Sequence, residues 1–195
     1  MKKIILATGN LGKVRELNAM LEGYYSVVSQ NDMQVNEIPE TGTTFIENAL
    51  IKARNASSQS KLPALADDSG LEVDALNGEP GIYSARYAGE HSKDDENIAK
   101  LILNMDQYDN RTARFCCAMV FVQNADDPNP IIIEKYWKGE ILRETLGSNG
   151  FGYDPIFYLP ELGCTSAQLK PEKKNQLSHR GQALSALLNY LLSSN

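Results

Sequence analysis

The sequence predicts an α/β protein. Residues 4–7 form a short apolar run, the turn Thr8-Gly9-Asn10-Leu11-Gly12-Lys13 follows, and apolar residues then recur at helical spacing up to residue 21. Later in the chain, two stretches have helical periodicity and two are typical of long strands: 44–60 and 92–105, then 114–123 and 131–138. A strand–turn–helix start followed by further helices and strands indicates the α/β class.

Length, charge and cysteine usage narrow the function classes. The 195 residues are enough for one large domain or for two small lobes around a shared cleft. The net charge of −6 argues against a protein that coats a nucleic-acid backbone. No stretch approaches the roughly 20 apolar residues that a membrane span needs, and the first apolar run is too short for a signal peptide. Three cysteines without a C-x-x-C pair suit a reducing compartment, so we expect a cytoplasmic protein.

The turn from Thr8 to Lys13 predicts an anion site. A tight turn between a strand and a helix N-terminus directs backbone N–H groups, the positive end of the helix dipole and Lys13 towards one point, which favours phosphate. It differs from a Walker A loop because its glycine spacing is shorter and no Ser or Thr follows Lys13. An ordinary strand-to-helix turn would explain the same residues, and this stretch alone leaves both interpretations open.

The helix predicted over 44–60 opens with a capping box, in which Thr44 is the N-cap and Glu47 the third helical residue. Its apolar residues mark a buried face, and Asn48 and Lys52 lie one turn apart on a different face. The cap explains Glu47 fully, and a solvated helix lysine would explain Lys52.

A predicted strand over 62–66 ends at two adjacent carboxylates, Asp67 and Asp68, followed by Ser69 and Gly70. Adjacent carboxylates repel each other, and strand ends are where open α/β proteins place their ligands. Mg²⁺ takes hard oxygen ligands, often one or two carboxylates plus substrate phosphates. We therefore favour a cation site over an acidic turn built from Asp, Ser and Gly.

Two stretches near the C-terminus also predict a binding site. Residues 147–157 interleave glycines with aromatic residues, which lets the backbone approach a ligand and offers a ring for stacking, although a turn with buried aromatics would look similar. Ser178 makes a good N-cap for a final helix, but His179 and Arg180 at that end oppose the helix dipole. Such a conflict is typical of a functional site.

These stretches, taken in order, resemble the bacterial members of the inosine triphosphate pyrophosphatase-like (ITPase-like) family. The similarity rests on Thr8-Gly9-Asn10-Leu11-Gly12-Lys13, Asp67-Asp68-Ser69-Gly70, Gly150-Phe151-Gly152-Tyr153-Asp154-Pro155 and Ser178-His179-Arg180, together with residues 44–49 and 80–87. It spans essentially the whole chain. Each motif is weak alone, but all of them in order are a specific match.

The resemblance implies an α/β fold in which a long central mixed β-sheet and flanking helices form two lobes around a substrate cleft. One domain would span residues 1–195. The implied reaction is hydrolysis of ITP, dITP and XTP to the nucleoside monophosphate and pyrophosphate with Mg²⁺, and the implied assembly is a homodimer.

The resemblance also implies roles for single residues. Asp68 would accept the proton of the attacking water and hold the metal with Glu40 and Glu47, while Ser69 would touch the substrate. Residues Thr8, Gly9, Asn10, Leu11, Gly12 and Lys13 would cradle the triphosphate, and Lys52 would contact a phosphate.

On the base side, the resemblance implies that nucleotide contacts come from Phe151, Gly152, Tyr153 and Asp154, from Lys174, and from His179 and Arg180. The family often has Glu-Lys-Asn before Ser-His-Arg, whereas this chain has Lys173-Lys174-Asn175. The substrate lysine is therefore either Lys173 or Lys174, and we choose Lys174.

The chemistry of a triphosphate fits these assignments, because about four negative charges need several lysines, a helix N-terminus and a divalent cation. We expect water to attack the α-phosphorus, and we expect Arg180 to favour the 6-keto oxygen of the purine over an amino group. Two alternatives stay open: a Maf-type nucleotide pyrophosphatase of other specificity, and a protein that binds nucleotides without turnover.

Overall fold

Seven strands form one mixed sheet with helices packed on it in a computed structural model that describes residues 2–193. The strand order is β2-β1-β3-β4-β5-β6-β7. The first strand pairs in parallel with the second and the third, whereas the fifth, sixth and seventh pair antiparallel. This arrangement confirms the predicted α/β class and the mixed sheet.

The strands are β1 (Lys2–Leu6), β2 (Tyr25–Ser29), β3 (Ala64–Val73), β4 (Thr112–Val122), β5 (Ile131–Ile141), β6 (Phe157–Leu159) and β7 (Cys164–Thr165). The α-helices are α1 (Leu11–Leu21), α2 (Phe45–Ser60), α3 (Asp94–Asn104), α4 (Pro171–Leu177) and α5 (His179–Ser193). Short 3-10 helices occupy Asp74–Leu76, Gly81–Arg86, Asp154–Ile156 and Ser166–Gln168. None of the helices within residues 2–193 combines the length and apolar character needed to span a bilayer.

The chain divides into two compact units. Unit 1 comprises Met1–Asp68, Cys117–Lys135 and Arg180–Asn195, and unit 2 comprises Ser69–Cys116 and Tyr136–His179. The prediction of a single domain over 1–195 with two lobes and one cleft stays a prediction, and residues 1, 194 and 195 lie outside the described part.

Unit 1 has a core on each face of its strands. Side chains alternate along β1, so that Ile4 and Leu6 join one core and Ile5 and Ala7 the other. Helices α1 and α5 contribute Leu17, Leu21, Ala183, Leu184 and Leu187 to the first core, and α2 contributes Ala49, Ala53 and Ala56 to the second. Strands covered on both faces are typical of parallel α/β folds.

Unit 2 has a single core, in which Leu71 and Val73 of β3 pack with Phe115 of β4 and Trp137 of β5. Helix α3 covers this core through Ile98, Leu101 and Met105. The predicted helix face of 92–105 is therefore confirmed as scaffold.

One local prediction was wrong. Strand β3 does not end at Asp67 but continues to Val73, because ion pairs offset the charge of the two carboxylates inside the strand and Leu71 and Val73 are buried beyond them. Asn48, which the spacing places on a different face of α2 from the apolar residues, is completely buried.

Candidate active site

The turn after β1 is closed by its own side chains. Asn10 is the N-cap of α1, and its Oδ1 accepts hydrogen bonds from the backbone N–H groups of Gly12 (2.8 Å) and Lys13 (3.1 Å). Thr8 Oγ1 accepts from the N–H of Asn10 at 3.2 Å. A Cβ on Gly9 would meet Glu37 Oε1, the end of an exposed side chain, so a larger residue here would displace Glu37. The predicted strand–turn–helix arrangement is present, but Asn10 occupies two of the backbone N–H groups that an anion would use, so the anion site stays a prediction.

Asp67 is the centre of a buried network of charges in unit 1. Its Oδ2 lies 3.1 Å from Arg180 Nε, and its Oδ1 lies 3.2 Å from Lys13 Nζ. Arg180 NH1 also contacts Glu16 Oε2 of α1 at 2.6 Å. The guanidinium of Arg180 thus connects α5 to β3 and to α1 through two carboxylates.

Asp68 faces a second set of charges in the same unit. Its Oδ1 lies 2.8 Å from Lys52 Nζ, and Lys52 Nζ lies 2.8 Å from Glu40 Oε1. The other carboxylate oxygen, Asp68 Oδ2, is buried and has no hydrogen-bond partner among residues 2–193. We call Lys13, Glu16, Glu40, Lys52, Asp67, Asp68 and Arg180 the carboxylate–lysine cluster.

The two adjacent aspartates differ in acidity. Burial alone would raise the pKa of Asp67, but Lys13, Arg180 and Lys52 outweigh it and hold that pKa far below its usual range. Burial raises the pKa of Asp68, and Lys52 and Lys13 offset this only in part while Glu40 adds to it. Asp68 is therefore the better proton acceptor of the pair.

Lys52 and Arg180, two of the cations of the cluster, stay charged. Burial opposes the charge on Lys52, yet Asp68, Glu40 and Asp67 outweigh it and raise the pKa of Lys52. In the same way, Asp67 and Glu16 overcome the burial of Arg180 and raise its pKa. The cluster thus keeps positive charge next to the carboxylates.

Glu47 works as a helix cap in this structure. Its Oε2 accepts hydrogen bonds from the N–H of Thr43 (2.6 Å), the hydroxyl of Thr43 (2.9 Å) and the N–H of Thr44 (3.1 Å), while Thr44 Oγ1 accepts from the N–H of Glu47 (3.1 Å). These bonds confirm the predicted capping box and lower the pKa of Glu47.

In unit 2, Asp154 organises the glycine-rich turn. Its Oδ2 accepts from the N–H of Phe151 at 2.9 Å and from Lys174 Nζ at 2.6 Å, and its Oδ1 accepts from the hydroxyl of Ser166 at 2.7 Å. Lys174 Nζ also lies 4.8 Å from the centre of the Phe151 ring. We call Phe151, Asp154, Ser166 and Lys174 the Asp154 cluster.

Glycine is needed at one place in this turn for a steric reason. Gly150 has a φ of +79°, and a Cβ there would collide with Asp154 Oδ2. Two later residues of the turn are held from other elements of unit 2: Asp94 Oδ2 accepts from the N–H of Gly152 at 2.6 Å, and the hydroxyl of Tyr153 donates to Ser84 O at 2.8 Å. Burial raises the pKa of Tyr153, which keeps its hydroxyl a hydrogen-bond donor.

The two candidate lysines of α4 have different surroundings. Lys174 is buried within the Asp154 cluster, whereas Lys173 is exposed. His179 is also buried in unit 2, where its ring stacks on Phe115 with the ring centres 4.8 Å apart. Its neighbour Arg180 belongs to unit 1, so the structure assigns these two predicted purine contacts to separate units.

Sequence reasoning missed several polar contacts. Glu16 lies three residues after Lys13 on α1, a spacing that places both on one helical face and that could have identified it. Asp94 and Ser166 are far from their partners in the chain, and no local pattern points to them. Such partners become visible only when the fold brings distant segments together.

The carboxylate–lysine cluster fits a magnesium ion by the chemistry of its donors. The unpartnered oxygen of Asp68 is a hard acceptor, and Glu40 contacts the same lysine, Lys52, as the other oxygen of Asp68. No group of three or more His, Cys, Asp or Glu side chains in the described part of the chain is placed to hold a metal. Mg²⁺ does not need one, since it commonly takes one or two carboxylates and completes its shell with water and substrate phosphates.

Comparisons with known proteins identify the family. The model of the Ham1 family matches residues 4–190. A dITP/XTP pyrophosphatase of Vibrio cholerae serotype O1 is 58% identical over 190 residues, which are 96% of this chain and 95% of that protein. A dITP/XTP pyrophosphatase of Escherichia coli K12 is 52% identical over 194 residues, 98% of each chain.

Solved structures agree with these matches. A HAM1 protein from Coxiella burnetii has a TM-score of 0.92 and 46% identity, and the match covers 99% of this chain and 100% of that one. The nucleoside-triphosphatase / dITP/XTP pyrophosphatase from Mycobacterium abscessus has a TM-score of 0.76 and 44% identity over 95% of this chain and 98% of its own. The resemblance to ITPase-like proteins is confirmed, and the chain belongs to the Ham1 family.

Proposed function

We propose that this protein hydrolyses ITP, dITP and XTP to the nucleoside monophosphate and pyrophosphate. The observation that carries the proposal is Asp68, a buried carboxylate with a raised pKa and one unpartnered oxygen beside Lys52. Such a group is suited to accept a proton near a bound polyanion. The similar dITP/XTP pyrophosphatases support the reaction and the substrate class.

The triphosphate is bound by unit 1 in this proposal. Residues Thr8–Lys13 supply the N-terminal end of α1, and Lys13 and Lys52 supply charge. Asn10 Oδ1 accepts hydrogen bonds from the N–H groups of Gly12 and Lys13. A phosphate oxygen that binds these N–H groups would either displace Asn10 Oδ1 or share the two donors with it. Ser69 follows Asp68 directly in β3 and is proposed to contact the substrate.

The chemical step is a displacement at the α-phosphorus. Asp68 accepts a proton from a water molecule while the water oxygen forms a bond to the α-phosphorus and the bond to the bridging oxygen of pyrophosphate breaks. Lys13 and Lys52 offset negative charge that builds up on the leaving group. Asp67 stays ionised throughout because its pKa is held low, and it keeps Lys13 and Arg180 in place.

We assign the metal to Asp68 and Glu40, each of which has an oxygen 2.8 Å from Lys52 Nζ. Bound Mg²⁺ would lower the pKa of a coordinated water and neutralise phosphate charge. Glu47 as a further ligand would have to use a carboxylate that already caps α2, so its role as a ligand stays a prediction.

The purine is bound by the Asp154 cluster in this proposal. The ring of Phe151 offers a stacking face, Gly152 and Tyr153 supply the turn next to it, and Lys174 is held by Asp154 at a fixed position. The assignment of His179 and Arg180 as purine contacts is part of the proposal. Arg180 would have to make its contact while Nε and NH1 hold Asp67 and Glu16.

The assembly and location also belong to the proposal. A homodimer, Mg²⁺ as the resident metal, a cytoplasmic location and the absence of nucleic-acid partners are all predicted from the sequence. The net charge of −6 supports the last of these. Light scattering after size exclusion measures the oligomeric state directly.

The decisive experiment measures pyrophosphate release from ITP, XTP, GTP and ATP, each with Mg²⁺ and with EDTA. We expect rapid release from ITP and XTP that requires Mg²⁺ and slow release from GTP and ATP. Equal release from all four nucleotides would contradict the proposed specificity and favour a Maf-type or unspecific pyrophosphatase. Binding of ITP without any release would favour a nucleotide-binding protein and contradict the role of Asp68.

A further inference from the structure

Asn48 lies completely buried near the start of α2 and anchors the preceding loop. Its Oδ1 accepts a hydrogen bond from the N–H of Gly42 at 2.8 Å. The helix pattern in the sequence points only to a shared face with Lys52, and the proposed reaction assigns Asn48 nothing.

The loop fits closely against the helix at this point. A Cβ on Gly42 would lie 2.7 Å from Asn48 Oδ1 and 2.6 Å from Glu47 Cβ, distances at which something must shift. The N–H of Thr43 is held next to it by Glu47 Oε2 at 2.6 Å. Residues 42–44 are therefore fixed on the N-terminal turn of α2.

This anchor lies two residues from Glu40. Glu40 Oε1 reaches Lys52 Nζ at 2.8 Å, and Lys52 Nζ reaches Asp68 Oδ1 at 2.8 Å. Asn48 and Lys52 are one turn apart on α2, so one rigid helix carries both the anchor of the loop and the lysine that Glu40 contacts. The position of Glu40 relative to Asp68 depends on where Asn48 holds Gly42.

The other end of the Asn48 carboxamide is unusual. Asn48 Nδ2 is buried and has no hydrogen-bond acceptor within residues 2–193, as Asp68 Oδ2 has no donor. A buried amide without an acceptor destabilises a fold. Such a group is typical of a functional site, where water or a ligand supplies the missing partner.

We propose that Asn48 is a positioning residue that fixes Glu40, through Gly42, for divalent-cation binding together with Asp68. The inference rests on the metal assignment within the proposed function. It makes a residue outside the carboxylate–lysine cluster responsible for the geometry of its metal ligands.

The experiment measures Mn²⁺ affinity of the full chain without nucleotide, by electron paramagnetic resonance. We expect Asn48→Ala to weaken Mn²⁺ binding about tenfold, within the usual range for a residue that orients a metal ligand, and Glu40→Gln to weaken it at least as much because it changes the ligand itself. The double variant should bind no more weakly than Glu40→Gln alone, because both changes remove the same ligand. Gly42→Ala disturbs the same contact between Gly42 and Asn48 by a change in the loop, so it should weaken Mn²⁺ binding to a similar extent.

The matched control is Asn55→Ala. Asn55 belongs to the same helix and also holds the loop before α2, since its Nδ2 donates to Asn36 O at 2.8 Å. It should leave Mn²⁺ affinity unchanged. Circular dichroism at the titration temperature establishes that each variant is folded, and Gly42→Ala keeps the test open if Asn48→Ala is not.

The outcomes separate the two proposals. If Glu40→Gln binds Mn²⁺ as tightly as the wild type, Glu40 is not a ligand and the metal assignment of the proposed function fails. If Glu40→Gln weakens binding while Asn48→Ala and Gly42→Ala do not, the inference about Asn48 alone is overturned. Equal weakening by Asn48→Ala and Asn55→Ala would also overturn it, because general loosening of the loop would then explain the effect.

Discussion

Asp67 and Asp68 are consecutive residues of β3, yet their surroundings shift their pKa values in opposite directions. Successive strand side chains point to opposite faces, so the two carboxylates contact different cations. Asp67 is paired with Lys13 and Arg180, whereas Asp68 has Lys52 on one oxygen only. Titratable groups whose environments separate their pKa values are typical of acid–base roles.

The first prediction concerns Asp68→Asn. The amide cannot accept the proton of water, and a general base contributes about 10²–10⁴ to a rate. We therefore expect pyrophosphate release from ITP to fall by about a thousandfold, while ITP binding measured by calorimetry is retained. Asp126→Asn, a change at an exposed aspartate, is the control. Normal turnover by Asp68→Asn would exclude it as the proton acceptor.

The second prediction concerns acid stability and Asp67. A carboxylate whose folded pKa is depressed stabilises the protein above its unfolded pKa of about 3.9, and this stability is lost as the pH falls towards the folded pKa. The unfolded state binds the extra proton, so the free energy of unfolding should fall with acidification. Asp67→Asn removes this titrating group. The slope of the free energy of unfolding against pH should therefore flatten below pH 4 by up to about 1.4 kcal/mol per pH unit.

Urea unfolding between pH 2.5 and 6 measures that slope for the wild type and Asp67→Asn. At pH 7 the same variant should be less stable by about 3–5 kcal/mol, because Arg180 and Lys13 lose a buried counter-charge. If the slope of the free energy of unfolding against pH is the same in Asp67→Asn as in the wild type, the pKa of Asp67 is not depressed in the folded protein.

The sequence predicts some local features of this structure correctly and others wrongly. The cap of α2 by Thr44 and Glu47 follows from local spacing, and it is confirmed. The end of β3 was placed wrongly because Asp and Gly are turn formers, and the cations that keep Asp67 and Asp68 inside a strand come from Lys13, Lys52 and Arg180. Ion pairs between residues distant in the chain leave no local pattern.

The third prediction concerns Arg180→Lys. A lysine has one ammonium group and cannot hold Asp67 and Glu16 in the fork geometry of a guanidinium. We expect a lower melting temperature and a reduced preference for ITP over ATP in pyrophosphate release, because the proposal also gives Arg180 a purine contact. A variant that is less stable but equally selective would restrict Arg180 to its two carboxylates.

The fourth prediction concerns Ser166→Ala. The change removes the hydroxyl that donates to Asp154 Oδ1 while Lys174 still contacts Oδ2. Loss of one such bond is worth about 1 kcal/mol, so KM for ITP should rise about fivefold with little change in kcat. Ser58→Ala, at an exposed serine of α2, is the control. A fall in kcat with constant KM would place Ser166 outside substrate binding.

The last prediction concerns Asp94, whose carboxylate accepts the N–H of Gly152 and so ties α3 to the turn that carries Phe151. We expect Asp94→Ala to speed hydrogen exchange in peptides covering Gly152 and to raise KM for ITP about tenfold or more, because a hydrogen bond to a charged group is worth about 1.5–3 kcal/mol. Asp95→Ala is a close control, since Asp95 lies in the same first turn of α3 and its Oδ1 accepts a hydrogen bond from the neighbouring N–H of Glu96 at 3.1 Å.

Both substitutions remove one negative charge from the N-terminus of α3 and therefore weaken that helix to a similar degree. Only Asp94→Ala also releases Gly152. A rise in KM and faster exchange confined to Asp94→Ala would assign the effect to the turn, whereas equal changes in both variants would assign it to the helix. The exchange measurement needs no substrate, so it tests the contact even if ITP is not turned over.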